Sequence, residues 1–236
     1  MPPPTSTTRP PASPPLLYRS ALGPLGDLTY TYDAAGNRTS VGGTFARTLL
    51  PAPIPSATYD AANQQLTFGP QAMTFDANGN LTTLTDPTGP TTFTWDARNR
   101  LTALSGPGLT GSFAYDARGR RVQKVINGQT SQYHYDRLDI IREIIDGAEV
   151  SYLRGLNIDE LFNRAATSTT ATLAYLVDAL GSTIALTDSA GALATTHTYE
   201  PFGRTTVMGT PTPNPFHFTG REDDGVGLYY HRSRYY

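Results

Sequence analysis

The sequence has no cysteine, so it can form neither a disulfide nor a thiolate metal site, and it has no thiol nucleophile. Charge is scarce as well. Only 16% of residues are charged and the formal net charge is −2, which leaves no basic stripe to follow a phosphate backbone. Nucleic acid is therefore not an expected partner. Apolar runs are strand-length, far short of the ~18 residues that a membrane-crossing helix needs, so no membrane span is expected. There is no Walker loop or Gly-x-Ser-x-Gly elbow. No cofactor is implied. The N-terminus lacks the basic start and apolar core of a signal peptide, and seven of its first fifteen residues are proline. Residues 1–27 read as a Pro-rich tail or linker.

What the sequence does have is aromatic and β-branched. Fourteen Tyr, nine Phe and one Trp sit among Thr-rich stretches, a composition that favours pleated strands. The main signal is a repeat. Aromatic-Asp pairs occur at Tyr32-Asp33, Tyr59-Asp60, Phe75-Asp76, Trp95-Asp96, Tyr115-Asp116 and Tyr135-Asp136, the last four spaced by 20 residues. The earlier intervals of 27 and 16 place insertions between units, where connecting loops tolerate them.

Each unit has a physical rationale. A second large apolar residue stands two positions before most of the aromatics (Tyr30, Met73, Phe93, Phe113, Tyr133), so both fall on one strand face. A four-residue turn follows, opened by Asp and closed by Gly36, Asn63, Gly79, Asn99 or Gly119. Asp accepts hydrogen bonds from the turn backbone, and Gly and Asn best tolerate a left-handed conformation. The pattern predicts a three-residue hairpin loop, a type I turn closed by a bulge. In that register Phe75 faces Leu81 and Trp95 faces Leu101. The slot holds Arg38 opposite Tyr32 and Arg121 opposite Tyr115, so the aliphatic ladder is not uniform.

These strings carry a family likeness. Tyr30-Thr-Tyr-Asp-Ala-Ala-Gly-Asn-Arg-Thr39, Phe93-Thr-Trp-Asp-Ala-Arg-Asn-Arg-Leu-Thr102 and Phe113-Ala-Tyr-Asp-Ala-Arg-Gly-Arg-Arg121 resemble the YD repeat of Rhs proteins, teneurins and the C components of insecticidal toxin complexes. The C-terminal third resembles the Rhs repeat-associated core. It carries Tyr175-Leu-Val-Asp-Ala-Leu-Gly-Ser182, Leu186-Thr-Asp-Ser-Ala-Gly191 and Tyr199-Glu-Pro-Phe-Gly203. Phe216-His-Phe-Thr-Gly-Arg-Glu222 and Gly227-Leu-Tyr-Tyr-His-Arg-Ser-Arg-Tyr-Tyr236 continue it.

The resemblance implies an all-β chain of stacked antiparallel hairpins forming part of a spiralling β-shell around a C-terminal toxin or effector. Residues 28–150 would be the YD-repeat array and residues 151–236 the repeat-associated core. The partners implied are the rest of the same polypeptide's shell and that effector, in a protein that is secreted or displayed at the cell surface. Arg234 matches the Arg of the family's Arg-Tyr-Tyr motif, beside an autoproteolytic site whose aspartates would lie beyond Tyr236, so self-cleavage is not expected of this sequence. Two other functions compete with the shell: a module that binds surface glycans through tyrosines, and an incomplete self-cleaving aspartyl protease.

Other candidate sites have simpler readings. Asp223 and Asp224 lie between glycines and read as an exposed turn, with adjacent side chains on opposite faces. Asp76-Ala-Asn-Gly-Asn80 lacks the ~12-residue loop and terminal Glu of an EF-hand. His134, His197, His217 and His231 are far apart in sequence and read as strand histidines, not zinc ligands. Around Asp146-Gly147 the sequence predicts two strands in preference to a helix. Residues 160–172 read as a loop in preference to a short helix.

Overall fold

The computed structural model describes residues 13–47, 49–157, 159–167 and 171–236. The chain is almost wholly β: the described strands run from Leu16–Ser20 to Tyr229–Tyr230, and the only helical element among the described residues is one 3-10 turn at Phe218–Gly220. Two compact units divide it. One contains residues 1–50 and 173–220, the other residues 51–172 and 221–236.

The second unit is a run of consecutive antiparallel hairpins from Ala57–Tyr59 to Leu161–Ala166, each strand paired with the one before it. Four of the connections at one end, at Asp60, Asp76, Asp96 and Asp116, are the Asp turn. At Asp96 the backbone N–H bonds the Arg100 carbonyl at 2.9 Å, and Asn99 N–H bonds the Asp96 carbonyl at 3.0 Å. The Asp96 carboxylate accepts from Arg98 N–H (2.9 Å) and Arg100 N–H (3.0 Å). The same pattern holds at Asp76, whose carboxyl lies below the usual range because the Asn80 amide, and then backbone N–H groups, donate to it. The closing residues take left-handed backbones: Gly79 at φ 83°, Asn99 at 57° and Gly119 at 82°.

The opposite end is tighter. Asn127-Gly128 and Asp146-Gly147 have positive φ at both positions (48° and 87°, 47° and 88°), the two-residue hairpin turn whose twist suits its strands. One strand, one tight turn, one strand and one Asp turn then account for the 20-residue period, as in Leu101–Gly106 followed by Leu109–Tyr115. The expected cross-strand pairs are present: Phe75 with Leu81 and Trp95 with Leu101. The two strands expected around Asp146-Gly147 are Asp139–Ile145 and Ala148–Arg154.

Successive hairpins are stapled by the polar tips of their aromatics. Trp95 Nε1 donates to the Leu81 carbonyl (2.8 Å), Tyr115 OH to that of Leu101 (2.8 Å) and Tyr135 OH to that of Arg121 (2.7 Å). Each reaches the residue that stands opposite the preceding unit's aromatic. Arg100, ion-paired to Asp96 at 2.6 Å, lies 4.9 Å from the Tyr115 ring, and Arg120, paired to Asp116 at 2.7 Å, lies 5.0 Å from the Tyr135 ring. Tyr115→Phe is expected to cost about 1 kcal/mol by leaving the Leu101 carbonyl unpaired, measured as a lower urea midpoint. An unchanged midpoint would contradict the staple. The outward face needs little charge, since hydroxyls pair across it, as with Thr58 and Thr67 at 2.7 Å and Thr74 and Thr82 at 2.9 Å.

In the first unit the strands Leu16–Ser20, Gly23–Tyr32 and Arg38–Gly42 form one sheet, and Leu28, Tyr30 and Phe45 share a core with Ile184 and Ala185. Strands at Thr183–Thr187 and Leu193–Tyr199 carry the Asp turn again at Asp178 and Asp188. His197 is 3% exposed, and its imidazole is pushed down to about 4 by burial and then by His217. The unfolded chain therefore takes up the proton first, and stability held above pH ~6.5 drains as pH falls toward 4. Between pH 7 and 5 the expected loss is about 2 kcal/mol, read from urea midpoints and abolished in His197→Gln. An equal loss in that variant would contradict the assignment.

Two expectations need correction. The tail expected over residues 1–27 includes Leu16–Ser20 and the start of Gly23–Tyr32, because Tyr18 packs edge-on to Phe45 at 5.5 Å and bonds the Val177 carbonyl at 2.6 Å. Residues 1–12 lie outside the described residues. The loop expected over residues 160–172 begins instead with the strand Leu161–Ala166, paired to Ala148–Arg154, which buries Leu161 and Arg164. Residues 168–170 of that expectation lie outside the described residues.

Candidate functional site

The residues with the most distinctive chemistry in the second unit converge where residues 221–236 lie over the hairpin array. Arg121 occupies the slot opposite Tyr115 that leucine fills one and two repeats earlier. The strand register therefore drives it inward, and its side chain is fully buried. Its guanidinium lies 4.0 Å from the Tyr230 ring centroid, 5.4 Å from that of Tyr133 and 5.6 Å from that of Phe113. The planar, weakly hydrated group suits such aromatic walls.

Its counter-charge is Asp224, also fully buried. Nη1 meets Oδ2 at 2.5 Å and Nη2 meets Oδ1 at 2.9 Å, a two-pronged pairing. Lys124 Nζ adds a contact to Oδ1 at 3.0 Å, and Tyr235 OH accepts from Arg121 Nη1 at 3.2 Å. Burial works against the Arg121 charge, but Asp224 outweighs it and holds the guanidinium protonated. Burial pushes the neighbouring Glu222 carboxyl up, with Arg121 opposing. It pushes the hydroxyls of Tyr133, Tyr230 and Tyr235 up as well. The turn reading of Asp223-Asp224 thus needs correction: Asp223 accepts from Gly225 N–H at the surface, whereas Asp224 points inward.

The overlying segment is itself a small folded piece. Glu222–Asp223 pairs with Tyr229–Tyr230, and Tyr229 and Tyr236 exchange backbone hydrogen bonds at 2.8 and 2.9 Å. Leu228 and Tyr235 pack on the core of Phe93, Leu101, Leu104 and Phe113. A second anchor lies nearer the surface, where Asp159 pairs with Arg221 (2.7 Å) and Arg232 (2.5 Å). Chemically this arrangement clasps. Asp224 is engaged by two cations, Arg121 and Lys124.

The repeat residues singled out from sequence are distributed along the chain. Tyr32, Asp33 and Gly36 belong to the hairpin of the first unit, while the units from Tyr59-Asp60 to Tyr135-Asp136 belong to the second. Trp95 and Tyr115 pack on the central core, but Tyr59 is 58% exposed. Asp136 pairs with Asp139 across a two-residue connection and opens no Asp turn. Arg234 is exposed at a cleft of about 370 Å³ that also includes Trp95, Asn99 and Tyr235. Sequence reasoning placed Arg121 in a ladder slot and Asp224 in a turn, but it did not bring the two together. The available signals were a charged residue in a ladder slot, and the period-two spacing that puts Glu222 and Asp224 on one face. His134 is exposed, whereas His197 and His217 come within 5.0 Å, a proximity invisible at their sequence distance. Among the described residues no group of three or more His, Cys, Asp or Glu could hold a metal ion.

Comparison with known proteins supports the repeat. The RHS Repeat family matches residues 75–110, the stretch from Phe75 through the Trp95 hairpin. Among solved structures, the crystal structure of TcdB2-TccC3 is similar at TM-score 0.60 and 17% identity, covering 94% of this chain and 16% of that one. The same complex without its hypervariable C-terminal region gives TM-score 0.61 at 17% identity, again over 94% of this chain and 16% of that one. A Photorhabdus luminescens Tc holotoxin pore gives TM-score 0.58 at 18% identity, over 90% and 15%. The chain thus spans about a sixth of the solved chains it matches. No curated protein matches it. The chain thus carries an RHS repeat over residues 75–110 and shares the fold of these solved structures along most of its length.

Proposed function

We propose that this chain is a wall segment of a larger exported polypeptide, whose shell encloses or presents a C-terminal effector. The carrying observation is the staple between hairpins: the aromatic tips of Trp95, Tyr115 and Tyr135 tie each of these units to a carbonyl of the unit before, which makes a continuous wall. One similar structure is of TcdB2-TccC3 without its hypervariable C-terminal region, and a hypervariable C-terminal region fits a constant wall with a variable content. On this reading residues 28–150 are the repeat array and residues 151–236 the repeat-associated core, whose final segment the Arg121–Asp224 clasp holds down. The partners are the remaining shell and the effector. Among the described residues no helix is long and apolar enough to cross a membrane.

The test is limited proteolysis of the full polypeptide that carries this segment. The effector portion should survive at protease levels that digest it when expressed alone, and it should become sensitive once the shell is unfolded. Equal digestion of enclosed and free effector would overturn the proposal.

A further inference from the structure

The first unit contains a recess unrelated to the clasp. It has a volume of about 300 Å³, at the lower end of the range for small-molecule sites. Its apolar walls come from Tyr30, Phe45, Ile184 and Phe218, and three of those belong to the unit's core. A packing gap would be apolar throughout, but this recess is not. Arg38 and Arg47 line it, each guanidinium set against an aromatic ring, 5.6 Å from the Tyr30 centroid and 6.0 Å from that of Phe45. Among the described residues neither arginine forms an ion pair. The carboxylates that share the lining are already engaged: Asp178 accepts the N–H groups of Leu180 and Ser182 in its turn, and Glu200 lies 3.6 Å from Arg204.

His197 also lines the recess. It is 3% exposed, stacked beside Tyr199, and its buried Nδ1 has no hydrogen-bond partner among the described residues. Unpaired buried polar atoms are uncommon and call for a partner. Two unpaired cations at the rim, one unsatisfied imidazole nitrogen and an aromatic wall describe a single kind of ligand. We infer that this recess binds a small organic carboxylate with an aromatic or apolar body. The carboxylate is met by Arg38 and Arg47, the body lies against Tyr30 and Phe45, and a polar group of the ligand reaches His197 Nδ1. The site lies wholly within residues 1–50 and 173–220, and it is independent of the shell reading above.

The probes are 3-phenylpropionate, its neutral amide and inorganic phosphate, titrated into the full chain while the His197 ring signals are followed by NMR. The carboxylate should shift those signals saturably, and the amide should bind at least about tenfold more weakly, the loss of one charge-assisted contact. Arg38→Gln with Arg47→Gln should weaken the carboxylate by about tenfold or more. Both side chains are exposed, so that variant should keep its fold, verified by an unchanged β-type circular dichroism spectrum. No saturable shift, equal binding of acid and amide, or unchanged binding in the double variant would overturn the proposal. Phosphate binding as tightly as the aryl acid would overturn the role of the aromatic wall.

Discussion

Asp224→Ala is expected to lower stability by about 3–5 kcal/mol, the largest effect of any single substitution in the clasp. The reason is what it leaves behind. Arg121 would keep its charge in a fully buried position among Phe113, Tyr133 and Tyr230, with its two-pronged partner gone. The aromatic rings attract a cation by about 2 kcal/mol or somewhat more when desolvated, less than the several kcal/mol that burying the ion costs. Removing both charges together should therefore hurt less than removing one. Arg121→Met combined with Asp224→Leu is expected to recover most of the loss, since buried pairs replaced by apolar residues of similar volume are often near neutral. The chain's single tryptophan is a built-in reporter, since Trp95 lies 6.3 Å from Tyr235. Urea titration followed by its fluorescence measures each variant. A loss below about 1 kcal/mol for Asp224→Ala, or a double variant weaker than the single one, would contradict a clasp that carries buried charge.

Leu101→Ala should cost about 2–5 kcal/mol by a different mechanism. Leu101 is 0% exposed and stands opposite Trp95 in the core with Phe93, Leu104 and Phe113. Truncation removes its transfer free energy and opens a cavity that the paired strands cannot close, because hydrogen bonding fixes their separation. Its position in the repeat does not by itself dictate that outcome. Tyr59, a repeat aromatic at 58% exposure, should tolerate alanine within about 0.5 kcal/mol, as exposed positions generally do. Comparable losses at the two sites would show that the array is uniformly packed, against the structure. Thermal unfolding of the two variants side by side is the measurement.

The hairpins were legible because their causes are local. Asp76 finds its hydrogen-bond donors within four residues, and Gly79 or Asn99 supplies the left-handed backbone that closes the loop. Period-two spacing then fixes which side chains share a face, so Phe75–Leu81 and Trp95–Leu101 followed from the string alone. The same turn chemistry at Asp178 and Asp188 was present in the sequence, though the motifs there were read only for their family likeness. Residues 161–166 misled because the Thr and Ser that dominate residues 167–172 set the reading of the whole stretch, whereas Leu161 and Arg164 lie buried in a paired strand.

The sequence by itself therefore determined the all-β class, the hairpin register and the 20-residue period, since each depends on atoms a few residues apart. Only the tertiary structure decided that Arg121 would meet Asp224 across 103 positions, and that His197 would end against a recess with two unpaired arginines. A charge in a strand can face water or a buried partner with the same local spacing. Which of these occurs depends on what the remainder of the chain brings to that face, because the cost of burying a charge is set by its partner and not by its neighbours in sequence.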